Sequence, residues 1–408
     1  MDQTIRQRFV AVLGKLEVTE GVDAAPDAAV DAIPVEADSV TWNSPFREEN
    51  SNEATGSLVA GAPLVVGQPA TVRFRSRLKG ANAGYTVLIK PPLHQMLSMA
   101  GKRGVFTAAV AALALAAGSA TTATVAAPFA ATAQKYRGMP LMLSVGAGAG
   151  AIPFITDYTA GRVATLTDSF APALDATTLA AIPANWTYAG TSPADAAARA
   201  TDHPSGTIYV YIDGVLRKFV GCRGRVDYEA NAAGAVFASF ELTGIYAGKS
   251  DTAMPATLAV ANHSGPLLLK STGISNAFNI NRLPLPISQF SFTDNGELES
   301  PDDPNTQNGF GAGQIGGRSP VLSCDPLATL VATRDVEAQI TAGQVYPGVI
   351  RAGLVANNRL AIVFPQLQPV SAEPGTRGMF RSEQTGFRAL SPGKDSDLRD
   401  GDAILCFY

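Results

Sequence analysis

The sequence predicts a mainly β fold of the α+β kind, on three observations. Gly (39) and Pro (27) are plentiful, while charged residues make up only 16% of the 408. That balance favours many short strands and turns over long helices. Thr71 to Lys79 alternates strictly: Val72, Phe74, Ser76 and Leu78 share one face, and Arg73, Arg75, Arg77 and Lys79 share the other. Period-two alternation marks a strand with one buried face. Gly206 to Val220 reads as a strand, an Asp213-Gly214 turn and a return strand, the strongest hairpin signal in the chain.

The remaining elements follow in order. Ile33 to Trp42 reads as a strand after a mixed N-terminal arm. Segment 43–60 is polar, carries Arg47, Glu48, Glu49 and Glu53, and has no helical or strand period. Loops of that length in compact proteins are usually functional or touch another chain. Pro92-Leu93 then opens a short helix. Residues 105–200 change character: they are rich in Ala and Thr and hold few charges. Short strands at close, regular spacing there suggest a small β-barrel-like module, inserted over 105–183. Arg223 to Glu229 and Phe237 to Leu242 form a further strand pair.

Several of these features recur. A second long loop, Thr293 to Arg318, carries Glu297, Glu299, Asp302 and Asp303. A second Pro-Leu start, Pro326-Leu327, predicts a helix over 325–341, with Asp325 as N-cap and Pro326 at the first helical position. Thr243-Gly244-Ile245 is echoed by Thr385-Gly386-Phe387. The pattern predicts two copies of one β-rich unit. The first spans 1–104 and 184–250, interrupted by the insertion, and the second spans 251–408.

The chemistry-bearing residues form no catalytic constellation. Net charge is -4, which gives no basic nucleic-acid surface. Cys222, Cys324 and Cys406 lie far apart, without disulfide-framework or metal-ligand spacing. His94, His203 and His263 are spaced with neither Cys nor carboxylate as zinc requires. Gly311-Ala312-Gly313-Gln314-Ile315-Gly316 matches G-x-G-x-x-G only formally, because it leads into a strand, not a helix. Asp302-Asp303, and Asp400 with Asp402, do not match a calcium loop. No secretory signal is read at the N-terminus. The apolar run from Val105 to Ala120 falls short of the roughly 20 residues a membrane span needs. The expectation is a non-enzymatic protein with no cofactor, no metal and no membrane span.

The run Ile208-Tyr209-Val210-Tyr211-Ile212-Asp213-Gly214-Val215-Leu216-Arg217-Lys218-Phe219-Val220-Gly221-Cys222-Arg223-Gly224-Arg225-Val226 resembles the tail tube proteins of long-tailed bacteriophages. So do Phe240-Glu241-Leu242-Thr243-Gly244-Ile245-Tyr246 and the opening Leu13-Gly14-Lys15-Leu16-Glu17-Val18-Thr19-Glu20-Gly21. The insertion is similar to a small β module of assorted phage structural proteins, on Tyr136-Arg137-Gly138-Met139 and Ile155-Thr156-Asp157-Tyr158. It departs from the plain tube pattern and implies a place on the outer surface.

The resemblance implies two tandem tail-tube-like β-sandwich domains, each with a flanking helix. It implies a major tail tube subunit in the virion tail, assembled in the host cytoplasm. Its rings would be trimeric and pseudo-sixfold, stacked around double-stranded DNA and the tape measure protein. Tail terminator and distal tail proteins would be further partners. On this reading Arg47, Glu48, Glu49, Glu53, Glu297, Glu299, Asp302 and Asp303 are inter-ring loop candidates, and Arg73, Arg75 and Arg77 are inter-subunit strand candidates. A tail-terminator or distal tail ring protein, and a carbohydrate-binding or hydrolase β-domain, are the alternatives.

Overall fold

The computed structural model describes residues 4–51, 53–54, 56–59, 61–260, 265–271 and 275–408. His263 and Ala60 lie outside them. The chain is mainly β, with several antiparallel sheets. The largest joins 17 strands.

Twelve of these strands fall into two sets. The first set is β1 (Val10–Leu16), β2 (Thr41–Trp42), β3 (Ala70–Arg77), β4 (Gly206–Ile212), β5 (Val215–Asn231) and β6 (Val236–Asp251). Its pairing order is β1-β4-β5-β6-β3-β2, antiparallel throughout. The second set is β7 (Phe278–Ile280), β8 (Gln289–Thr293), β9 (Val321–Cys324), β10 (Tyr346–Val355), β11 (Asn358–Arg377) and β12 (Phe380–Ala389). Its order is β7-β10-β11-β12-β9-β8, again antiparallel throughout. Both sets therefore place their members in the same spatial sequence. In each, a long arm joins the second and third strands, and a short helix precedes the fourth: α1 (His94–Met99) and, beyond α2 (Ala196–Asp202), α3 (Val336–Thr341).

The Thr-Gly dipeptides occupy matching places. Val220 opposes Ile245 and Pro369 opposes Phe387, each beside a register shift in β5 or β11. A Cβ on Gly244 would lie 2.6 Å from the Val220 carbonyl oxygen, and one on Gly386 2.6 Å from Ser371 Oγ. The bulged strand crowds the glycine in both halves.

The two sets share one core. β5 and β8 pair directly, Tyr228 opposing Phe292 and Asn231 opposing Gln289. Tyr228 stacks on Phe292 with ring centroids 6.1 Å apart, and Phe292 meets Phe364 edge-on at 5.1 Å. A further strand, Arg399–Phe407, pairs with β11 and with Asn185–Thr191. The last of these pairs with Lys102–Thr107. Those two strands close the base of the inserted module, so its chain enters and leaves side by side.

The module folds on its own core, which includes Phe129, Tyr136, Tyr158 and Leu166. It has a four-stranded and a three-stranded sheet. Ile152 and Phe154 then seat it on Val349, Ala361, Val363 and Cys406. These side chains alternate with Leu360, Ile362 and Phe364 of the shared core, so the module covers the opposite face of the second half. Asp168 ties it down, accepting from Asn279 Nδ2 at 2.6 Å and pairing with Arg351. The corresponding face of the first half carries Leu13, Tyr209, Tyr211 and Leu216, and is covered by Ala28, Met254, Leu258 and Val260 instead.

Three expectations need correction. The helix expected over 325–341 shrinks to Val336–Thr341, capped by Asp335, whose side chain accepts from Ala338 N–H. Asp325 instead accepts from the Ser288 and Gln289 N–H groups at 2.8 and 3.0 Å, which straps the entry to β8. Ile33 to Trp42 is not one strand but two short ones, Ala32–Ile33 and Thr41–Trp42, around a 3-10 turn at Ala37–Ser39. Segment 43–60, read as a loop, opens with the strand Phe46–Glu49, paired with Leu64–Gly67.

The shared aromatic contact makes a sharp prediction. Phe292 is fully buried, and its truncation to Ala should cost about 3–5 kcal/mol. Denaturant unfolding should show that loss as one transition involving both halves. Selective melting of the second half alone would mean the core is not shared.

Candidate assembly surfaces

Strand edges are the first feature of the site. On one edge of β5, β4 covers residues 215–222 and β8 covers 228–231. On the equivalent edge of β11, β10 covers residues 358–367. Beyond 367, among the described residues, no strand pairs with that edge through Arg377. Val370, Ser371, Glu373 and Pro374 are exposed along it. Among the described residues β2 likewise pairs only with β3, although its counterpart β8 is flanked on both sides. An open edge offers unpaired N–H and C=O groups to another strand.

The two arms are the second feature. In the first arm, Arg47, Glu48 and Glu49 lie on the strand Phe46–Glu49, and all are exposed. Glu53 is exposed beyond it. Phe46, Leu58, Val59, Leu64 and Val65 are exposed apolar side chains on the same arm. The second arm carries the short hairpin Leu298–Glu299 with Gln314–Ile315. Glu297, Glu299 and Asp302 are exposed on it, and Asp303 turns its tip by accepting from Asn305 N–H at 2.9 Å. Unlike the first arm, it lies across the chain's own first half. Gly313 N–H donates to the Gly221 carbonyl at 3.1 Å, and Arg223 Nη1 donates to the Gly313 carbonyl at 3.0 Å.

Buried charge anchors the root of that second arm. Lys102 Nζ meets Asp294 Oδ1 at 2.6 Å, both side chains only 2% exposed. Arg318, at the other end of the arm, reaches Asp400 at 2.7 Å, Asp402 at 3.4 Å and Asp294 at 3.8 Å. Burial alone would depress the Arg318 pKa, but those three carboxylates outweigh it and hold the guanidinium charged. Asp294 and Arg318 are 24 residues apart in sequence, so nothing local signals this cluster.

The basic row of β3 finds its acidic partners within the chain. Arg73 pairs with Glu241, Arg75 with Glu229, and Arg77 with Glu36. Arg75 also lies over the Phe237 ring, 3.6 Å from its centroid. Burial would raise the Glu241 carboxyl, but hydrogen bonds from Arg73 and Arg225 hold it below the usual range. Half-exposed pairs of this kind contribute about 0–1 kcal/mol each.

The remaining titratable groups are structural. Cys222, Cys324 and Cys406 are free and buried, and burial pushes the Cys324 thiol up to about 12. His94 Nδ1 lies 2.8 Å from the Tyr188 hydroxyl, and burial, with the Lys90 charge adding, lowers its pKa to about 4. Among the described residues no group of three or more His, Cys, Asp or Glu could hold a metal ion. Among them also, no helix is long and apolar enough to cross a membrane.

Two measurements check this account. Between its ordinary pKa of 6.5 and about 4, the unfolded chain takes up the His94 proton that the folded chain refuses. Stability should therefore fall as pH drops through that window, by up to about 3 kcal/mol. His94→Gln should flatten that part of the profile. Asp294→Ala strands Lys102 in the interior and should cost about 3–5 kcal/mol. The apolar pair Lys102→Met with Asp294→Leu should recover most of it. Equal losses in the single and double variants would contradict a pair-specific origin.

No model of a known protein family matches the chain, and no curated protein sequence is significantly similar to it.

Proposed function

We propose that this chain is a structural subunit that assembles with copies of itself into closed, stacked rings: the major tail tube protein of a long-tailed bacteriophage. One observation carries the reading. The six-strand order recurs within the chain, and its two halves are already joined edge to edge at β5–β8. Among the described residues, a free strand edge lies at each end, at β11 beyond residue 367 and at β2. A unit that presents one half of a joint at each end adds copies head to tail, and the series closes when the rotation permits. Three chains, each with two tandem tail-tube-like domains, then make a pseudo-sixfold hoop.

The other features support the same reading. The net charge of -4 suits a lumen that must not grip phosphates, because cationic contacts would tether passing DNA. The inserted module sits on the sheet face opposite the shared core, which suits an outer position. The chain acts without catalysis, as wall and conduit for double-stranded DNA and the tape measure protein. Tail terminator and distal tail proteins meet its ends.

Electron microscopy of purified protein is the test. Rings or hollow tubes with threefold or pseudo-sixfold end views are expected. Thr376→Lys adds charge to the open edge of β11, and should leave the thermal melt unchanged while lowering ring yield at least tenfold. A chain that stays monomeric at high concentration, with no partner on either edge, overturns the proposal.

A further inference from the structure

Each half carries an arm between its second and third strands; the second lies across the first half, whereas the first abuts the second arm at Gly67, against the Asn308 backbone, and leaves its return limb exposed. In the second arm, Gly311-Ala312-Gly313 is buried against the first half. Ala312 packs on Gly221 in the bulge of β5, and a Cβ added to Gly221 would stand 2.8 Å from the Ala312 Cβ. Ile315 reaches Gly101, just past α1. The first arm has a similar return limb, Gly61-Ala62-Pro63-Leu64, and all four residues are exposed. The surface equivalent to the occupied one is exposed as well. It consists of Val370 and Ser371 in the bulge of β11, and Gly343 just past α3. Val370 is 49% exposed, whereas Gly221, Cys222 and Arg223 are buried under the second arm.

We infer that the first arm of one copy seats on the second half of its neighbour in the same ring, with Ala62 against the Val370–Ser371 bulge and Leu64 toward Gly343. This deepens the ring assembly proposed above and rests on it. The occupant is a second copy of this chain, because the contact already exists once within the chain and lacks its equivalent. If β11 of one copy meets β2 of the next, as β5 meets β8, the arm that follows β2 emerges beside the vacant bulge. The second arm emerges from β8 beside its own seat in the same manner. The exposed Leu64 and Val65 (65% and 64% exposed) then leave water, which is the driving term for such docking. Lateral contact between neighbours, rather than reach between rings, is therefore the role of the first arm.

Disulfide trapping tests this in the full-length chain, since its three native thiols are buried. The double variant Ala62→Cys with Val370→Cys is oxidised after assembly, with each single variant as control. Assembly is scored by microscopy and covalent products on a non-reducing gel. Assemblies whose cross-linking stops at a closed trimer are the expected result. Assemblies without cross-links overturn the arm placement and leave the ring reading intact. A ladder without an upper limit means that the arm reaches another ring, and overturns the lateral placement. A chain that remains monomeric and uncross-linked overturns the ring reading and the arm placement together.

Discussion

The pairing of β5 with β8 is the contact on which the rest of the structure depends. Four residue pairs, from Tyr228 with Phe292 to Asn231 with Gln289, join the halves. Each cross-strand pair contributes only about 0.2–1 kcal/mol. Their weight comes from what the pairing aligns. Tyr228, Phe292 and Phe364 meet behind it, and the core on both sides becomes continuous. Non-polar burial therefore stabilises a joint that backbone hydrogen bonds alone would hold weakly.

That joint also explains the long strands. β5 outlasts β4 on one edge and is taken over there by β8, whereas β11 outlasts β10 and, among the described residues, has no strand on that edge beyond residue 367. A strand shared this way must twist and shift register, and both β5 and β11 are bulged opposite a Thr-Gly dipeptide. Glycine there is a consequence of the crowding. A Cβ would press on the bulged backbone at Gly244 and on the Ser371 hydroxyl at Gly386.

Charge is used in two ways. On β3 it is paired across strands at the surface, where water screens it and the energy is small. At the root of the second arm it is buried, and losing one partner strands the other. The buried cluster ties the arm to strands from both halves, Lys102–Thr107 and Arg399–Phe407. Among the described residues, the first arm has charged side chains on its strand but no buried ion pair at its root, and Leu58, Val59, Leu64 and Val65 are exposed.

The sequence by itself determined the β class, the alternating face of β3, the hairpin at Asp213-Gly214 and the echo of the Thr-Gly segments. These are local properties: side-chain period, turn chemistry and composition act over a few residues and need no distant partner. It misread the helix at 325–341, because a proline and an apparent N-cap are equally compatible with an extended entry once Asp325 finds Ser288 and Gln289. It treated both arms alike and did not foresee that Glu241, Glu229 and Glu36 of the same chain stand opposite the β3 arginines. Tertiary structure alone decided which strand edges are covered, which arm is seated and which charges are buried. Each depends on pairing between residues tens to hundreds of positions apart, and no local pattern encodes that distance.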